Sequence, residues 1–317
     1  MSGQLQIFAV LLPVFFLIVL GFVLSRSGFP GNSFWEPAER LTYYILFPSL
    51  LVQRIAAPAA DIGGSAPILQ LFAVLAATVL SLTVMLLVLR PLTYPDGPAF
   101  TSVYQGTVRF NSYIGISIVL FLFGEPGVVT AAMLLSFLIP LVNFTCIIIL
   151  VRFGRKQTGS NGNNRQAIVR AVLTNPVVIA CLLGLVLHHG QVPIPRPVNN
   201  LLDILGRASL PLGLLAVGAA LEPRVLRHHT GTIAAVTLFR LLLNPLLVWF
   251  FCQLFAVPAF TTKVAVIFAA LPGSALATIL ARQLGGDAPL MAGITTAQIM
   301  IAAGTLPVVL YLILWAV

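Results

Sequence analysis

An arginine among apolar residues does one of two things. Its planar guanidinium grips a pair of anionic oxygens with two parallel N–H bonds, or it ties down backbone carbonyls that have lost their helical partners. The stretch FTSVYQGTVRFNSYIGISIVLFLFG, Phe100 to Gly124, holds such a residue, Arg109, in a run otherwise apolar enough to cross a bilayer. Nine residues of helical rise place it about 13 Å deep, where a guanidinium costs about 2.5 to 17 kcal/mol depending on how water and lipid relax. Asn111, Ser112 and Gly115 follow it. Small and polar residues beside a charge predict a helix that breaks near mid-depth, which is tolerated only where protein or a watery cavity surrounds the exposed backbone. These residues support a ligand site of a membrane transporter, with pinning of a broken helix by Arg109 as the compatible alternative.

A second interruption lies in FAALPGSALATILARQLGG, where Pro272 stands about ten residues into an apolar run and Gly273 and Ser274 follow. Proline removes a backbone donor, so this run is also expected to break near its centre. Gln105 precedes Arg109 by four residues and shares its helix face. Asn143, after Pro140, and Gln298 are further candidates for the same cavity. The plain alternative for each is a helix–helix hydrogen bond. Arg240, about eight residues into another run, is read as able to reach the cytoplasmic interface along its own stem. Asn175-Pro176 and Asn244-Pro245 are read as stabilising kinks, and His188-His189 and His228-His229 as solvated residues at run ends rather than metal ligands.

Charge decides the ligand class. All eight acidic residues fall at run ends or in loops, so no carboxylate occupies a central position. Cation exchange through buried carboxylates is therefore disfavoured. One deep guanidinium plus two helix N-termini favours an anion, most naturally a carboxylate. Gly273-Ser274 could belong to a hydrolase, but no histidine lies within any run to act as base. There is no H-E-x-x-H, no phosphate-binding glycine loop and no acidic pair for a metal, so neither an enzyme nor a cofactor or metal is expected. A channel, a uniporter and a ligand-sensing receptor stay open. So does the coupling ion, since a proton or sodium site would have to use Asn, Gln, Ser or backbone oxygens.

The elements that must position these residues are membrane helices. Of 317 residues, 59% are hydrophobic and 8% charged, against about 25% charged in a soluble domain. Ten apolar runs can be marked, at about 6–24, 34–54, 67–89, 100–122, 127–151, 167–188, 200–221, 232–255, 262–281 and 289–316. The net charge of +9 lies mostly between runs, which speaks for membrane orientation and lipid contact rather than nucleic acid. The start, MSGQLQIFAVLLPVFF, lacks the basic residues and cleavage site of a signal peptide and reads as a retained first span. Cys146, Cys181 and Cys252 fall in apolar runs and read as buried packing residues. The longest polar gap carries Arg152, Arg155, Lys156, Arg165 and Arg170 with no acid, so it is expected in the cytoplasm, with both termini outside.

That gap divides two similar halves. LPVFFLIVLGFVL, Leu12 to Leu24, aligns with NPVVIACLLGLVL, Asn175 to Leu187: Pro13 meets Pro176, Gly21 meets Gly184, and Pro48 meets Pro211, all at an offset of 163. Further on the offset becomes 161, so that Gly124 meets Gly285 and Asn111 meets Pro272. Five spans per half require the second to be inverted, and inverted repeats with a site at their broken helices recur in secondary transporters. The expected organisation is a first repeat over 1–151, a basic cytoplasmic linker over 152–166 and a second repeat over 167–317. Broken spans four and nine would bring Gln105, Arg109, Asn111, Ser112, Asn143, Pro272, Gly273, Ser274 and Gln298 around one anion. Backbone N–H groups of Gly273 and Ser274 are expected to face it.

VYQGTVRFNSYIGISIVLFLFGEPG resembles the fourth-span signature of the auxin efflux carrier family, in particular its bacterial members. LTNPVVIACLLGLVL, SLPLGLLAVGAAL and ALPGSALATILARQLGGD followed by MAGITTAQ resemble it as well, and the likeness runs from PVFFLIVLGF to TLPVVLYL. The resemblance implies ten helices in two inverted five-helix repeats with crossing broken helices four and nine, as in bile-acid and sodium/proton transporters. It implies a scaffold of spans 1, 2, 6 and 7, a transport domain of spans 3–5 and 8–10, and a homodimer. Plant members export an indole carboxylate, and bacterial members are linked to malonate or malate. This chain departs from the plant pattern in its short central loop and in Arg109-Phe110-Asn111, where plant carriers show a proline-asparagine crossover. A small organic acid fits the buried arginine better than auxin.

Overall fold

The computed structural model describes residues 2–31, 33–56, 65–93, 96–155, 175–227 and 229–316, and all regular elements among them are helical. Residues 156–174, which take in most of the basic linker and the start of the sixth apolar run, and His228 lie outside the described residues. In chain order the α-helices are α1 (Ser2–Arg26), α2 (Trp35–Leu41), α3 (Phe47–Ala56), α4 (Ser65–Thr93), α5 (Gly97–Val108), α6 (Ser112–Phe153), α7 (Pro176–His189), α8 (Arg196–Ala219), α9 (Thr230–Leu238), α10 (Asn244–Leu254), α11 (Ala259–Ala269), α12 (Leu276–Gln283) and α13 (Ala288–Ala316). Widened π-turns join α2 to α3 over Thr42–Leu46 and α9 to α10 over Phe239–Leu243.

Length and composition make this a membrane protein. Leu69–Pro91, Gly97–Phe153, Arg196–Ala219, Thr230–Leu254 and Ala288–Ile313 are each long and apolar enough to cross a bilayer. Phe16, Leu69, Val88, Val186 and Ile204 are at least 62% exposed, an apolar surface that only lipid or a partner chain can accept. The 42 residues of α6 would extend about 63 Å as one rod, twice a hydrocarbon core of about 30 Å. The rod is broken: Gly124 has φ 62 and ψ −147, a backbone turn that glycine adopts without a Cβ penalty.

The chain forms two compact units. The first comprises Met1–Ile68, Ser112–Ile139 and Leu173–Ala220. Within it α1 packs on α8 at very short range, because a Cβ on Gly21 would lie 2.0 Å from the Leu215 carbonyl oxygen and one on Gly218 1.8 Å from that of Ile18. Small residues at such crossings let dispersion replace the hydrophobic drive that lipid removes. Asn175, expected at a kink, instead caps α7, its Oδ1 accepting from the N–H groups of Val177 and Val178. The second unit comprises Leu69–Asn111, Pro140–Val172 and Leu221–Val317. Its core contains Phe100, Tyr104, Phe268, Met291 and Leu306, and it holds both interrupted runs up to Asn111 and through Ser274.

Candidate functional site

Both interruptions are present. Asp96 caps the start of α5 by accepting from Ala99 N–H, and the helix ends at Arg109, whose backbone is extended (φ −77, ψ 150). Arg109, Phe110 and Asn111 are non-helical before Ser112 opens α6. In the other run α11 stops at Ala269, and α12 begins only at Leu276. The two breaks touch: Asn111 N–H donates to Pro272 O at 2.9 Å, and the Phe110 ring meets Phe268 edge-on at 5.9 Å.

Breaking a helix in a membrane exposes carbonyls at one end and N–H groups at the next. The carbonyl ends are held by Arg240, which is only 2% exposed. Its Nε donates to Leu271 O at 2.9 Å, Nη1 to Thr107 O at 3.3 Å and Nη2 to Phe268 O at 3.3 Å. One guanidinium thus satisfies the C-terminal ends of α5 and α11 together, where the helix dipoles are negative and favour a cation. Arg240 does not reach for the interface; it stays buried because three carbonyls replace its water. The π-turn at Phe239–Leu243 carries it. Asn244 adds a bond from Nδ2 to Ala269 O at 3.4 Å, so it serves the same helix end rather than only a kink.

Gln298 is also committed to backbone. Its Nε2 donates to Gly106 O at 2.8 Å and its Oε1 accepts from Gly273 N–H at 2.8 Å. Gln298 thus makes the helix–helix hydrogen bonds that were the plain alternative for it, and the Gly273 N–H, expected to face the anion, is bonded to its amide oxygen. A Cβ on Gly273 would lie 2.7 Å from Gln298 Oε1, which is why glycine fits there. Ser274 is half-buried, its carbonyl accepting from Ala277 N–H at the start of α12. Asn143 is half-buried in the second unit. Ser112 falls in the first unit.

Arg109 and Gln105 remain. Arg109 is 8% exposed, and its Nε and Nη2 have no partner among the described residues. These two nitrogens form one edge of the guanidinium, the edge that meets a carboxylate with two parallel bonds. Its neighbour is the buried Cys146 thiol, to which it hydrogen-bonds. Gln105 is fully buried, and both ends of its amide are without partners among the described residues. Close by, the Tyr104 hydroxyl shares a hydrogen bond with Thr83 Oγ1 at 2.8 Å. Elsewhere, Glu125 pairs with Arg54, and Asp203 with Arg207 at 2.7 Å, both in the first unit. No cluster of three metal-ligating side chains occurs among the described residues.

Sequence reasoning missed the role of Arg240. The available signal was the pair of breaks itself: two interrupted helices have two negative ends as well as two positive ones, and a cation must meet them.

A family model described as "Membrane transport protein" matches residues 6–310. The "Uncharacterized transporter" of Methanothermobacter thermautotrophicus is 23% identical over 307 residues, covering 96% of this chain and 96% of that protein. The "Putative malonate transporter" of Rhizobium meliloti is 23% identical over 284 residues, covering 88% of this chain and 87% of that protein.

Proposed function

Because the chain belongs to the membrane transport protein family, the auxin efflux carriers whose motifs it carries, we propose that it is a secondary active transporter of small organic anions working by alternating access. The observation that carries the reading is the unpartnered edge of Arg109, buried beside a break whose carbonyls already have their own cation in Arg240. A buried guanidinium with a free bidentate edge is matched by a carboxylate. Malonate and malate are the first candidates and aromatic carboxylates the next; the name of the Rhizobium meliloti relative agrees with the first.

In this reading the chain crosses the cell membrane ten times, as two inverted five-helix repeats, and spans 3–5 and 8–10 carry the anion against a scaffold of spans 1, 2, 6 and 7. Two copies form a homodimer. Both termini face outward and residues 152–166 the cytoplasm, which the cluster of Arg152, Arg155, Lys156 and Arg165 supports. With the native thiols removed, Ser160→Cys is expected to resist an impermeant reagent in intact cells and to react once the membrane is opened. Labelling from outside would reverse the orientation.

The decisive experiment is uptake into proteoliposomes from a panel of mono- and dicarboxylates, under imposed proton, sodium and voltage gradients. Saturable uptake of a small carboxylate with counterflow is expected. Flux that does not saturate would make the protein a channel, and binding without flux a receptor.

A further inference from the structure

Building on the transporter reading, we propose that the group gripped by Arg109 and Gln105 is a singly charged acid carrying a hydrogen-bond donor of its own. A half-protonated dicarboxylate is the simplest such acid, and its proton then crosses on the substrate.

Charge sets the first limit. Arg109 and Arg240 are the buried cations among the described residues. Arg240 has all three nitrogens on the carbonyls of Leu271, Thr107 and Phe268, so its charge already answers two helix ends. The backbone N–H groups of Asn111 and Gly273 are taken by Pro272 O and Gln298 Oε1. Of the two buried guanidinium groups, one edge is left, that of Arg109, and its charge balances one carboxylate. A second full negative charge beside it would be buried without a cation of its own among the described residues.

Gln105 sets the second. Its amide is fully buried with oxygen and nitrogen both unpartnered among the described residues, four residues before Arg109 on the same helix face. A carboxylate offers acceptors only, so whichever way the amide is turned, its oxygen would face another bare oxygen. A neutral carboxylic acid has an O–H to donate and a C=O to accept, and pairs with a carboxamide through two bonds. The same pairing fits a primary amide. The dicarboxylate therefore loads with one carboxylate on Arg109 and one –COOH on Gln105. The O–H bond stays intact during the crossing, and the proton is released to water afterwards. No protein group has to titrate. Among the described residues, the ionisable neighbours include the Cys146 thiol, bonded to Arg109, and the Tyr104 hydroxyl, bonded to Thr83.

The test compares labelled malonate with malonamate, its mono-amide, whose second end cannot ionise, in proteoliposomes of the whole protein across the second ionisation of malonate. The KM for total malonate is expected to rise about tenfold per pH unit above that ionisation, as the half-protonated form is depleted, while the KM for malonamate stays within about twofold. A malonate KM that does not rise with pH overturns the inference and leaves an anion carrier standing. A malonamate KM that rises in parallel also overturns it, because the protein is then what titrates. Uptake of neither acid overturns this inference and, for small acids, the reading on which it rests. Gln105→Leu supplies a second readout: the KM for malonamate is expected to rise at least about tenfold relative to that for propionate, which has no second polar end. Equal shifts for the two would remove Gln105 from the site. If that variant does not fold, the pH comparison on the native protein decides alone.

Discussion

Arg109→Ala is expected to eliminate carboxylate uptake while leaving the fold intact. The side chain places an unpartnered Nε and Nη2 in a buried position, so its loss removes a bidentate charged contact to the ligand and little that the protein itself uses. Truncating one partner of a desolvated, hydrogen-bonded charge pair costs about 2 to 5 kcal/mol, or about 30-fold to several thousand-fold in affinity. Thermal stability in detergent should hold or rise, because an uncompensated buried charge is gone. Arg109→Lys keeps the charge and loses the planar fork, so it should rank between alanine and the native residue. Native uptake by the alanine variant would show that the anion binds elsewhere.

Arg240→Leu is expected to fail in the opposite order. Removing it orphans the carbonyls of Thr107, Phe268 and Leu271 at once, in surroundings where water does not readily replace the lost donor. Hydrogen bonds from a charged donor contribute about 1.5 to 3 kcal/mol each and are not additive here, so a loss of about 3 to 5 kcal/mol is reasonable. The variant should melt well below the native protein, and transport should fall because the two breaks are no longer held in register. Arg240→Lys is expected to recover only part of the stability, since a point charge cannot span three carbonyls on two helices. A leucine variant as stable as the native protein would mean that other groups hold the helix ends. Together the two arginines make a double dissociation: one variant loses ligand and keeps its melt, the other loses its melt first.

Much of this arrangement is local chemistry, and local chemistry is legible. That the chain is a helical membrane protein follows from 59% hydrophobic and 8% charged residues. The helix interruptions at Arg109–Asn111 and after Ala269 fall where a charge, an asparagine, a proline and a glycine break otherwise apolar runs, because each alters the backbone at its own position. What needed the tertiary structure was the partner of each polar group. Arg109 and Arg240 are both single cations inside apolar runs, and the sequence set them apart only by depth. They part company only because Arg240 meets carbonyls as far away as Thr107, 133 positions distant, whereas Arg109 keeps a free edge. Gln105 and Gln298 divide in the same way: Gln298 finds Gly106, 192 positions off, and Gly273, while the amide of Gln105 finds no partner among the described residues. A buried donor must meet an acceptor somewhere, but spacing along the chain does not say which one. Packing between distant helices does, and it separates the groups that hold the fold from those left to hold a ligand.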